Sequence, residues 1–227
     1  MTTGVLVTAA GLGLRLDAGR PKALVEVCGR PLIAHCVARL HAAGVGLPLV
    51  LAPAGHVDAF VDALDAKDTP VLGVIAGGVL RRDSVEIGVA ALPAGTTRIV
   101  VHDAARAFTP PEVIAAALNC VTGDVVAAAP ALTIADTVKQ VDGENIVTTV
   151  NRDSLRLIHT PQVFTAASLR AALDEASDDD TDELGPLERL VARGAMHGKI
   201  LTVPSSVLAR KVTTDEDVAF FTRMIDA

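Results

Sequence analysis

The chain has no Trp, no Tyr and only five Phe in 227 residues. So few rings leave no stacking platform for exposed bases, and a formal net charge of −7 leaves no basic face to follow a phosphate backbone, which argues against nucleic-acid binding. Long hydrophobic runs are missing as well. Half of the residues are hydrophobic, but the apolar stretches are strand-length and interrupted, so nothing resembles a membrane span. No charged leader followed by a hydrophobic stretch marks a secretory signal, and a cytoplasmic protein is expected. Cysteine is scarce: Cys28, Cys36 and Cys120 are odd in number and lack metal or redox spacing, which reads as buried reduced thiols. There is no Ser/Pro-rich linker either. A chain of 227 residues then suits one α/β domain, 1–227, with a single core, and a small phosphorylated molecule is the expected partner.

What is present is a repeated alternation of apolar strand and amphipathic helix. Val5 to Thr8 gives a buried strand, and Pro31 to Ala43 carries apolar residues at helical spacing until Gly44 stops it. The pattern continues as strand 48–52, helix 56–64, strand 71–75, a Gly77-Gly78 turn, helix 83–92, strand 98–101, helix 111–121 and strand 124–129. This order predicts a mostly parallel sheet with helices on both faces and ligands at the carboxyl ends of the strands. After Pro130 the pattern changes. Thr137 to Val141 and Ile146 to Val150, separated by Asp142-Gly143, read as a protruding hairpin arm at about 133–150. An isolated two-stranded hairpin is marginal in water, so the arm is expected to pack on another subunit of a homodimer. Helices over 166–176, 186–193 and 215–224 and a strand over 200–203 complete the chain.

Chemistry concentrates at three strand ends. The first is Thr8-Ala9-Ala10-Gly11-Leu12-Gly13-Leu14-Arg15-Leu16, followed by Pro21-Lys22. Gly11 and Gly13 allow a tight turn whose N–H groups can face phosphate oxygens, with Arg15 and Lys22 adding positive charge. A dinucleotide fingerprint would need a small residue where Leu16 stands, and a Walker loop would need Ser or Thr where Ala23 follows Lys22. At the second, Gly77-Gly78-Val79-Leu80-Arg81-Arg82-Asp83-Ser84, two readings are open: Ser84 with Gly78 reads a base, or Asp83 and Ser84 cap the helix. At the third, His102-Asp103-Ala104-Ala105-Arg106, the Asp103 carboxylate suits Mg²⁺ or a substrate hydroxyl. Arg106 suits a phosphate or a surface ion pair, and His102 reads as a structural residue. The acidic run Asp178-Asp179-Asp180, with Asp182 and Glu183, reads as a solvated loop.

Taken together, AAGLGLRL with PK, GGVLRRDSV, VHDAAR, NRDSL, HTPQ and RKVTTDED resemble, in this order, the cytidylyltransferases that transfer CMP to 2-C-methyl-D-erythritol 4-phosphate in non-mevalonate isoprenoid synthesis. The resemblance spans nearly the whole chain and implies a three-layer, Rossmann-like nucleotidyltransferase fold. It implies a CTP pocket formed by Ala9, Ala10, Gly11, Gly13, Gly78 and Ser84, with Arg15, Lys22 and Lys211 as catalytic residues around the triphosphate. It places Asp103, Arg106, Thr137, Arg152 and Thr160 at the acceptor, a polyol phosphate, with Asp103 also serving Mg²⁺. It also implies that the arm reaches the neighbouring subunit. Two departures stand out: Leu184 and Gly185 replace the family's Ala and Ser, and Val79 replaces an aspartate that often follows the glycine pair. Ribitol 5-phosphate or another polyol phosphate as acceptor, and a non-catalytic nucleotide-binding copy, are the alternatives.

Overall fold

In the computed structural model, which describes residues 2–11 and 20–225, the first apolar run forms β1 (Thr3–Thr8). Gly13 and Arg15 lie outside the described residues. A short hairpin of β2 (Glu26–Val27) and β3 (Arg30–Pro31) leads into α1 (Leu32–Ala42), which ends ahead of Gly44 at φ +70°. There follow β4 (Leu49–Ala52), α2 (Val57–Asp65), β5 (Gly73–Ala76), α3 (Arg81–Ala91), β6 (Arg98–Asp103), α4 (Pro111–Cys120) and β7 (Val125–Thr133). The remaining elements are β8 (Val138–Asp142), β9 (Asn145–Val150), β10 (Arg156–Ile158), β11 (Gln162–Thr165), α5 (Ala166–Glu175), α6 (Leu184–Ala192), β12 (Lys199–Pro204) and α7 (Asp215–Ile225).

The sheet runs β10-β7-β11-β6-β1-β4-β5, with β12 also paired to β7. β5, β4, β1 and β6 are mutually parallel. β11 enters antiparallel between β6 and β7, and β12 runs parallel to β7, so the expected mostly parallel sheet is present with β10 and β11 as its two reversals. Those two strands are absent from the periodicity. They are three and four residues long and separated by Pro161, too short to establish an alternation.

Alternation along the central strands separates two cores. Val5, Val7 and Val100 pack with α1, α2 and α4 on one face, whereas Leu6, Ile99 and Val101 pack with α3, α5 and α6 on the other. A sheet filled on both faces is the three-layer architecture, and it leaves the carboxyl ends of the strands as the open edge. Helix α6 begins two residues earlier than its apolar spacing suggests. Asp182 Oδ1 accepts from the N–H groups of Leu184 and Gly185 at 3.2 and 3.3 Å, and Pro186 is tolerated inside the first turn because it needs no hydrogen bond there. The cysteines differ from expectation in one respect. All three are free thiols, but only Cys36 is buried, while Cys28 is exposed on the β2–β3 turn at φ +49°.

Strands β8 and β9 pair only with each other among the described residues and carry exposed Val141, Ile146 and Val147. The arm therefore leaves the sheet with its apolar side uncovered by the described residues.

Candidate active site

Three βα junctions and the approach to α7 enclose one cavity of about 280 Å³ at the carboxyl edge of the sheet. The loop after β1 contributes Thr8, Ala9, Ala10 and Gly11, and the turn that follows contributes Lys22 and Ala23. From the β5–α3 junction come Gly78, Val79, Leu80, Arg81 and Ser84. The end of β6 supplies Asp103, Ala104 and Ala105, and Lys211 and Thr213 close the far side. These segments are distant in sequence; parallel strands of one direction bring their ends together.

The glycine pair is shaped by the helix after it. The N–H of Gly78 donates to Ser84 Oγ at 3.0 Å, and the Ser84 hydroxyl donates to the Leu80 carbonyl at 3.2 Å. Asp83 Oδ2 accepts from the N–H of Leu80 at 3.0 Å, so Asp83 caps α3 while Ser84 braces the loop. A Cβ on Gly77 would meet Ser84 Oγ at 2.7 Å, which explains why no larger residue stands there. Ser84 is 1 % exposed and faces the cavity through its bond to the loop, so the capping and pocket-forming roles coexist. Val79 stands almost fully exposed at the mouth.

Asp103 forms the cavity floor and is the acidic residue lining it among the described residues. Lys211 Nζ lies 2.8 Å from Oδ2 and Arg106 Nε 3.6 Å from it, while Arg81 Nε is 3.4 Å from Oδ1 and the Thr8 hydroxyl donates to Oδ1 at 3.1 Å. Burial alone would push this carboxyl up. Arg81, Lys211 and Arg106 outweigh it and hold the group well below the usual carboxylate range, so Asp103 is ionised at neutral pH. The same burial and the Asp103 charge push the Cys36 thiol up, which keeps it inert.

Behind Asp103 lies a buried polar layer. The Thr160 hydroxyl accepts from the Asp103 N–H at 3.0 Å and lies 2.9 Å from His102 Nδ1. Burial, helped by the charge of Arg106, lowers His102 to about 4, so the ring is neutral and Nδ1 can accept from Thr160. Arg106 donates through Nη1 to the Ala209 carbonyl at 2.8 Å and through Nη2 to that of Ile158 at 3.3 Å. Its fork ties two segments together and is not open to solvent; neither Arg106 nor Thr160 lines the cavity. Thr137 and Arg152 are exposed at the base of the arm, away from the cavity of their own chain, with Arg152 Nη1 donating to the Ala135 carbonyl.

Two residues join the site without a signal in the sequence. Arg81, at the first turn of α3, bridges Asp103 and Glu183, and Glu183 is 4 % exposed rather than part of a solvated acidic loop. The solvated reading holds for Asp178 and Asp179; the chain turns inward at Asp182 as α6 begins.

Residues 3–225 match the family model described as IspD, 2-C-methyl-D-erythritol 4-phosphate cytidylyltransferase. The chain belongs to this family. Among IspD relatives, the 2-C-methyl-D-erythritol 4-phosphate cytidylyltransferase of Saccharopolyspora erythraea is 43 % identical over 225 residues, covering 96 % of this chain and 97 % of the relative. That of Nocardia farcinica is 42 % identical, covering 97 % and 93 %. The crystal structure of the Thermus thermophilus cytidylyltransferase superposes with a TM-score of 0.78 at 27 % identity, over the full length of both chains. The family match thus spans residues 3–225, and the fold is that of the solved cytidylyltransferase.

Proposed function

We propose that the chain transfers CMP from CTP to 2-C-methyl-D-erythritol 4-phosphate, giving 4-diphosphocytidyl-2-C-methyl-D-erythritol and pyrophosphate in isoprenoid precursor synthesis. Family membership over residues 3–225 supports this reading, and the observation that carries it in the structure is the convergence of the glycine loops, Lys22 and Lys211 on one cavity floored by Asp103. The family match does not favour ribitol 5-phosphate as acceptor or a non-catalytic copy.

In this reading a phosphate oxygen of the acceptor attacks the α-phosphorus of CTP; one P–O bond forms as the bond to pyrophosphate breaks. The acceptor phosphate is ionised at neutral pH, so no general base is needed and catalysis reduces to orientation and charge stabilisation. Lys22 and Lys211 supply fixed charge to the triphosphate, as Arg15 does in the segment implied by the resemblance. The Gly78 carbonyl offers an acceptor to the base, its N–H being donated to Ser84 Oγ. For Mg²⁺, Asp103 is the ionised carboxylate lining the cavity that would hold the ion, which would share it with Lys211, Arg81 and Arg106. When bound there, the ion would neutralise phosphate charge.

The arm is read as a dimerisation element that carries Thr137 and Arg152 to the partner's acceptor site. Its exposed Val141, Ile146 and Val147 support this, as does the fact that Arg152 is not among the residues lining the cavity of its own chain. A cytoplasmic location accords with three free thiols, and no helix among the described residues is long and apolar enough to cross a membrane. Pyrophosphate release is measured with CTP, Mg²⁺ and a panel of polyol phosphates. The expected result is turnover with 2-C-methyl-D-erythritol 4-phosphate in preference to ribitol 5-phosphate; preference for another acceptor, or binding of CTP without turnover with any, overturns it.

A further inference from the structure

Arg81 occupies an unusual position for a residue of a helix first turn. One nitrogen of its guanidinium, Nη1, pairs with Glu183, and another, Nε, lies 3.4 Å from Asp103 Oδ1. Among the described residues Glu183 has no other use for its charge: Oε1 meets Arg81, and Oε2 is buried without a hydrogen-bond partner. A buried carboxylate in that state is costly, and a hydrophobic side chain at the start of α6 would pack more cheaply if stability were all that mattered. The loop that delivers it is itself fixed, since Asp182 caps α6 and accepts from Gln162 Nε2 at 2.7 Å.

Without Glu183, the Arg81 fork would be free to turn toward the cavity it lines, where incoming phosphates are the strongest acceptors available. It would then leave Asp103 Oδ1 to Thr8 alone and disturb the carboxylate that Lys211 contacts through Oδ2. The geometry points to Arg81 as a positioning residue, held by Glu183 against Asp103 and kept off the phosphates. This rests on the cytidylyl-transfer reading, so the wild-type enzyme is assayed first: absence of turnover there would strike that reading, whereas the outcomes below concern Arg81 alone.

Steady-state kinetics with varied CTP and thermal unfolding are measured for Glu183→Gln, Arg81→Met, the double variant and Arg81→Lys. Glu183→Gln is expected to lose roughly tenfold to a hundredfold in kcat, the range for partners that orient a liganding group, while KM for CTP stays the same or falls as Arg81 moves onto the phosphates. The double variant is expected to be no slower than Arg81→Met, because Glu183 acts through Arg81. Arg81→Lys keeps a charge for Glu183 but cannot bridge two carboxylates, so it shows the same loss in kcat even if Glu183→Gln fails to fold. Wild-type kcat in either Glu183→Gln or Arg81→Lys, losses that multiply in the double variant, or a rise in KM for CTP that tracks a fall in Tm would overturn the assignment.

Discussion

Adjacent residues at the end of β6 show how environment decides protonation. Asp103 is surrounded by Arg81, Arg106 and Lys211 and keeps its charge despite burial, whereas His102, fully buried one residue earlier, loses its own and is lowered to about 4. His159, which lies 2.8 Å through Nδ1 from Ser205 Oγ, is also lowered to about 4 by burial and by Arg106 and Lys211. The unfolded chain binds these protons near pH 6.5, so between pH 6.5 and about 4 it holds more protons than the folded chain. Stability is therefore complete above pH 6.5 and declines as pH falls toward 4, by about 3 kcal/mol for His102. Glu183, pushed up chiefly by burial, works in the opposite direction, so the decisive comparison is between variants. Urea unfolding across this range is expected to give a shallower pH dependence for His102→Asn than for wild type; equal slopes would remove His102 from the account. At this scale the sequence is most readable where a residue ends a strand, as Asp103 does. It is least readable where burial depends on a distant element: Glu183 stands in an acidic run that reads as solvated, and its pairing with Arg81 exists only once the start of α6 meets the first turn of α3.

The nucleotide side of the site depends on how α3 seats against the sheet. Gly88 faces β1 and β4, where a Cβ would stand 2.9 to 3.0 Å from the side chains of Leu6 and Leu51. Glycine leaves room for this close approach, and α3 carries the Gly77-Gly78 loop ahead of its first turn. Gly88→Val is expected to lose about 1 to 3 kcal/mol of stability through overpacking, measured by urea denaturation, and to raise KM for CTP as the loop lifts. A stable variant with unchanged KM would show that α3 can shift without moving the loop. The strand and helix alternation was legible because parallel strands buried on both faces are continuous apolar runs, as in Val5-Leu6-Val7 and Ile99-Val100-Val101. β10 and β11 were not, since each takes its place through pairing with β7 or β6 and not through any period of its own.

For the whole molecule the open question is how many chains make one site. Within a single chain the described cavity holds Lys22 and Lys211 but not Arg152, which sits exposed beyond an arm whose Val141, Ile146 and Val147 have nothing to cover them. A two-stranded ribbon of this kind gains little by itself, and in a twofold dimer any reach of one arm is matched by the other. Each site would then draw Lys22 from one protomer and Arg152 from its partner. Lys22→Ala and Arg152→Ala should each be nearly inactive alone. In a heterodimer of the two, one site carries both substitutions and the other carries neither. Random exchange of subunits makes about half the dimers mixed, so the mixture should recover about a quarter of wild-type specific activity. Native mass spectrometry confirms that heterodimers have formed. If they have and no activity returns, Lys22 and Arg152 serve the site of the same chain and the arm does not cross.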